Sequence, residues 1–138
     1  MSTGLSTAQR VFLAAACFGI AIIGFMVKLP GAFRHMDKEL HAAFYFVAAA
    51  FLNVLFARRK LLRHVAIFAV LFAFGMAIEK AQAWSNRFFH TRIHGRFDPE
   101  DVQSNLKGLV AFSVLWLLWA AATSLRAREA PAENANRR

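Results

Sequence analysis

The chain has 138 residues, 58% of them hydrophobic, and a formal charge of +9. Soluble domains average roughly 45 to 50% apolar residues at amphipathic spacing, whereas here they come in long blocks, which excludes a soluble fold and argues for one membrane domain. The basic residues sit at the ends of those blocks and form no stripe, so they speak for topology control and anionic lipid and against nucleic acid.

Ser6 or Thr7 is placed to cap a first span over about 8–28, which stops at Lys28-Leu29-Pro30-Gly31 because Pro and Gly do not continue a helix. The lone cysteine, Cys17, follows three alanines and superficially matches a lipoprotein cleavage site. Too few apolar residues precede it for a signal core of about 7 to 15, so the run is expected to remain as a span. Ala15 and Gly19, four apart, suit close helix packing.

Asp37 is expected to cap a second span over about 38–57, on which Lys38, His41 and Tyr45 share one face. Asn53, deep in the same span, predicts an interhelical hydrogen bond. Arg58, Arg59, Lys60 and Arg63 make a dense basic turn before the third span, about 61–84. Near the far end of that span Glu79 and Gln82 share a face, and Gly75 offers room for a neighbouring backbone.

Between spans three and four, Phe88, Phe89, Ile93 and Phe97 interleave with Arg87, Arg92 and Arg96, a pattern that suits an interfacial loop or short helix. Asp98-Pro99-Glu100-Asp101 then has the form of a helix start, with a capping Asp, Pro in the first position and acids in the first turn. The fourth span covers about 99–125, with Asp101, Asn105 and Gly108 on one face. Residues 1–125 are thus read as an all-α domain of four transmembrane helices, and the polar stretch 126–138 as a disordered tail.

Four spans put both termini on the side of the basic turn. Lys and Arg are almost evenly divided between the two sides, but the turn is short and dense, which favours cytoplasmic termini in a multi-pass protein. The alternation of spans also brings the starts of spans two and four and the end of span three to the opposite surface. Charges within a bilayer cost roughly 2.5 to 3.5 kcal/mol each on insertion scales, so the polar set gathered there needs an explanation.

That set is Lys38, His41, Tyr45, Glu79, Gln82, Asp101 and Asn105, with Arg87, Arg92 and Arg96 supplied by the loop. Mutual pairing is one account of it and a ligand site is another. Plainer roles are open for single members: capping for Asp101, snorkelling for Lys38, a wet last turn for Glu79 and Gln82, an interfacial ring for Tyr45 and a structural hydrogen bond for His41. His90 and His94 are four apart but lack the glutamate of zinc hydrolases, and no cysteine pair exists, so the spacing defines no metal site and no cofactor. Ser104 and Ser113 lack the context of a serine nucleophile.

Two blocks of this set, Asp37-Lys38-x-x-His41-x-x-x-Tyr45 and Glu79-x-x-Gln82 followed by Asp101-x-x-x-Asn105-x-x-Gly108, resemble the VanZ-like family of small bacterial membrane proteins over roughly residues 37–108. The resemblance implies a multi-span protein of the bacterial plasma membrane, linked by family to glycopeptide (teicoplanin) resistance, with no agreed biochemical activity. The family pattern has one arginine about midway between the Gln and the Asp; by distance to Asp101 it maps to Arg96, with Arg92 second. The function expected on this basis is binding of an anionic envelope lipid or cell-wall precursor at the extracytoplasmic interface, with Arg96, Lys38 and His41 as the basic partners. An enzyme using His41 with Glu79 or Asp101 for acid–base chemistry, and an accessory subunit whose polar cluster only locks helix packing, stand as alternatives.

Overall fold

The computed structural model describes residues 4–26, 36–90 and 97–136, with side chains up to residue 127. Among these residues it is all-α, with four helices and no strand. Helix α1 spans Thr7–Met26. It opens on a reciprocal cap, in which Gln9 N donates to Ser6 Oγ at 3.2 Å and Ser6 N donates to Gln9 Oε1 at 2.8 Å. Two amide groups that the first turn leaves open are thereby satisfied.

Helix α2 runs over Asp37–Leu52 and continues as one π turn, Asn53–Ala57. Asp37 does not cap it as expected: Met36 takes the cap position without a side-chain bond, and Asp37 is the first helical residue. Its carboxylate still meets the positive end of the helix dipole, and it turns towards His41 instead of the backbone. The chain reverses at Arg58, with φ 51°, and the amides of Arg59 and Lys60 return to Ala57 O at 3.1 and 2.9 Å. Carbonyls left open at this end accept from guanidinium groups, Leu55 O from Arg10 at 3.4 Å and Phe56 O from Arg63 at 3.0 Å. Cations at a helix C-terminus are favoured by the dipole as well as by these bonds.

Helix α3, Leu61–Phe88, passes the end expected near residue 84. No Pro or Gly interrupts Ser85-Asn86-Arg87-Phe88, and Ser85 Oγ donates back to Gln82 O at 2.7 Å, so the helix takes up the first part of the interfacial segment. At 1.5 Å per residue it is about 42 Å long, more than a hydrocarbon layer of about 30 Å requires, so its ends stand in the interfaces. Helix α4, Pro99–Asn136, starts as its sequence predicts: Asp98 Oδ1 accepts from Glu100 N at 2.8 Å, and Asp98 O accepts from Val102 N at 3.4 Å. It does not end at 125, because the stretch expected to be disordered continues the helix to Asn136. Ala, Arg and Glu dominate its start and favour helix, and the span has already met the cost of nucleation.

All four helices are long and apolar enough to cross a membrane. Helices α2 and α4 form the most extensive pair, because Gly108 lets their backbones meet: a Cβ there would run into the carbonyl oxygen of Ala42. Tyr45, Ala48, Ala49 and Leu52 of α2 bury against Leu71 of α3 and Leu109 of α4. Helix α1 joins from outside through Phe18, whose ring meets Phe74 edge-on at 4.9 Å. Large apolar side chains such as Phe12, Leu62 and Leu118 point outward, the arrangement expected when the solvent for the outer surface is lipid.

Candidate functional site

The start of α2, the end of α3 and the start of α4 meet at the end of the bundle opposite the basic turn. His41, one turn into α2, is 6% exposed, and its Nδ1 lies 2.9 Å from Oδ1 of Asn105, itself 2% exposed. Because an amide oxygen only accepts, Nδ1 is the donor in this contact. Nε2 faces Asp37 Oδ1 at 3.8 Å along the same helix. One donor atom from each of Asp37, His41 and Asp101 lies within 4.8 Å of the others.

Glu79 of α3 closes the group from a third side and is 2% exposed. Its Oε2 accepts from the backbone of Asp98 at 3.3 Å, whereas its Oε1 is buried without a hydrogen-bond partner. The carboxylate interacts electrostatically with His41 and Asp101. Tyr45, 1% exposed, lies one turn below His41, where Gly75 makes the space for it. A Cβ on Gly75 would stand 2.8 Å from Asn105 Nδ2 and 2.9 Å from Tyr45 Oη, so the glycine accommodates these two side chains instead of the backbone expected there. Phe25 of α1 packs on His41 with ring centroids 4.9 Å apart and shields it on that side.

Asp37, His41, Tyr45, Glu79, Asp101 and Asn105 are therefore drawn together from three segments. Lys38 lies at the rim, where it pairs with Glu100 with both side chains about half exposed or more. Such a pair contributes little. Gln82 turns away from the histidine and donates to Phe25 O at 2.7 Å, so it holds the end of α1. Arg87 is exposed on the last turn of α3, and His90 is exposed just beyond it. Arg92, Arg96 and His94 lie outside the described residues.

A second buried polar group sits at the other end. Asn53 Nδ2 donates to Ala49 O at 2.8 Å, which turns its Oδ1 towards His64 Nδ1, also at 2.8 Å. His64 Nε2 lies 3.1 Å from Ser113 Oγ, and the imidazole stacks on Trp116 at 4.2 Å. Asn53 thus makes the interhelical bond its sequence position predicts. Its partner His64, and the roles of Asp98, Glu100 and Phe25 in the first site, have no signal in the sequence alone. His64 directly follows the basic turn in the chain, and only packing turns it inward.

Fold and site together define a multi-pass membrane protein of four helices with a buried histidine–carboxylate–amide cluster at one end. No protein-family model, curated protein or solved structure matches the chain.

Proposed function

We propose that the cluster around His41 is an extracytoplasmic binding site for the headgroup of an anionic envelope lipid or cell-wall precursor, in a VanZ-like protein of the bacterial plasma membrane. The observation that carries this reading is the 2.9 Å bond between His41 and Asn105, which joins the two sequence blocks that resemble the family. A buried polar group of this size is costly in a bilayer unless its members pair or serve a ligand, and Glu79 Oε1 is left unpaired. The dense turn Arg58-Arg59-Lys60 with Arg63 favours the cytoplasm for the opposite end by the positive-inside rule, and in this reading the site faces outward. In this reading Arg96, with Arg92 second, engages the acidic headgroup through its planar fork, and His41, Tyr45 and Asn105 add neutral hydrogen bonds. By family resemblance the physiological output is glycopeptide (teicoplanin) tolerance.

One observation favours a second reading, an enzyme acting on the same lipid. His41 is held through Nδ1 by Asn105, with Asp37 and Asp101 beside it, which brings an imidazole and carboxylates together as acid–base chemistry needs. Native mass spectrometry from membrane fragments tests the first reading. A defined lipid is expected to co-purify with the parent chain and to be lost from Arg96→Ala and His41→Ala. Equal lipid in all three overturns it, whereas time-dependent conversion of that lipid by the purified parent selects the enzyme.

A further inference from the structure

We propose that Asp37, His41 and Asp101 form a binding site for one divalent first-row metal ion of the Zn²⁺ or Mn²⁺ class. The three donor atoms lie within 4.8 Å of one another and come from two helices that Gly108 locks together, so the site is set by tertiary packing and not by a flexible loop. One imidazole nitrogen and two carboxylates are a borderline-to-hard set, which suits Zn²⁺ or Mn²⁺ better than the thiolate-seeking ions.

His41 is prepared for such a role. Metal-ligating histidines donate their second ring nitrogen to an oxygen that fixes tautomer and orientation, and Asn105 Oδ1 supplies that acceptor at 2.9 Å. Nε2 is thereby left as the ligand atom, 3.8 Å from Asp37 Oδ1. Ligand bonds of about 2.0 to 2.2 Å imply donor separations of about 3 to 3.6 Å, so the triangle must contract by about 1 Å. Asp37, with 46% of its side chain exposed, has the freedom to make that movement.

The charge balance points the same way. Asp37, Asp101 and Glu79 converge on one histidine, and Lys38, which offsets part of the charge on Asp101, is shared with Glu100. Like charges brought together in a low-dielectric end of a bundle demand a cation or protons. The Oε1 of Glu79, outside the triad, is buried and unpartnered, and its carboxylate is electrostatically coupled to His41 and Asp101; it supplies the acceptor a metal-bound water would need. Three protein ligands leave coordination positions open, the form of a site that also receives an exogenous oxygen ligand.

The test uses the metal alone. Full-length protein in phosphatidylcholine nanodiscs is stripped with chelator, dialysed against Zn²⁺ or, separately, Mn²⁺, and bound metal is counted by mass spectrometry of the elements. One ion per chain is expected for at least one of the two metals. Asp37→Asn and Asp101→Asn are expected to weaken it by about tenfold or more, and Asn105→Ala, which releases the ring, by about 10- to 100-fold. His90→Ala, outside the triad, is expected to leave it unchanged. Circular dichroism and gel filtration select folded variants, and the half-exposed position of Asp37 makes Asp37→Asn the variant that keeps the fold. Absence of saturable binding to the parent overturns the proposal. So does binding that persists in folded Asp37→Asn, or binding abolished by His90→Ala. Because no anionic lipid is present, a negative result leaves headgroup recognition standing, and failure of headgroup recognition leaves metal binding standing.

Discussion

His41 Nδ1 donates to Asn105 Oδ1 across 64 positions of sequence, and both side chains are buried. This contact couples the second helix to the fourth at the end of the bundle that carries the carboxylates. Removing the amide leaves a buried N–H without its acceptor. Asn105→Ala is expected to cost about 1 to 3 kcal/mol, with His41→Ala similar and the double variant less than their sum by 0.5 kcal/mol or about that. Thermal melts of the four proteins in one detergent give the coupling directly, and strict additivity would show the contact to be energetically silent.

Glu79→Gln separates a ligand site from a packing lock. Glutamine keeps an oxygen for the backbone N–H of Asp98 while removing one charge from a group that already holds Asp37 and Asp101. The variant is expected to accumulate in membranes with a melting temperature no lower than the parent, and to lose headgroup binding because an NH2 group replaces Oε1, the buried acceptor left open for a headgroup donor. Loss of folded protein in place of loss of binding would identify the cluster as structural.

Gly108→Ala adds a methyl group where the Ala42 carbonyl already stands. A backbone cannot rotate out of the way as a side chain does, so α2 and α4 must separate. A loss of about 1 to 3 kcal/mol is expected, measured by urea or thermal unfolding, with the His41–Asn105 pair disrupted as a consequence.

Gly75→Ala strikes side chains instead. Its Cβ would crowd Asn105 Nδ2 at 2.8 Å and Tyr45 Oη at 2.9 Å, both at the ends of buried groups. Because these two can yield only by giving up their present positions, binding is expected to fall more than stability does. Comparison of melting temperature with lipid occupancy on the same preparation checks this.

At the basic end, His64→Phe keeps a flat ring on Trp116 but removes the ring nitrogens that meet Asn53 Oδ1 and Ser113 Oγ. An expected loss of about 1 to 3 kcal/mol follows from leaving Asn53 Oδ1 unsatisfied, and the tryptophan emission should shift with it. No change in headgroup binding is expected, since His64 lies at the opposite end from His41.

Much of the architecture was legible in the chain. Four apolar blocks, the Ser6 cap, the Asp98-Pro99 helix start and the break after Ala57 are local features whose physics acts within a few residues. Where the reading erred, a local signal met a competing one. Asp37 looks like a cap, yet the first turn of α2 tolerates it without capping geometry, and residues 85–88 look interfacial yet contain nothing that stops a helix. The convergence of His41, Glu79 and Asn105 could be expected from alternating spans. Which of their neighbours face the same point could not, since Lys38 and Gln82 share those helices and are engaged elsewhere, one with Glu100 and the other with Phe25 O.

Hydrophobic blocks, their lengths and the residues that interrupt them are properties of the chain, and they were sufficient for an all-α membrane fold with a polar end. Rotation of each helix about its axis is not such a property, because it is set by which small residues allow close approach. Gly108 against Ala42 and Gly75 against Tyr45 and Asn105 set that rotation here. Only once it is set do Asp37, His41 and Asp101 stand within 4.8 Å of one another, with Glu79 behind them.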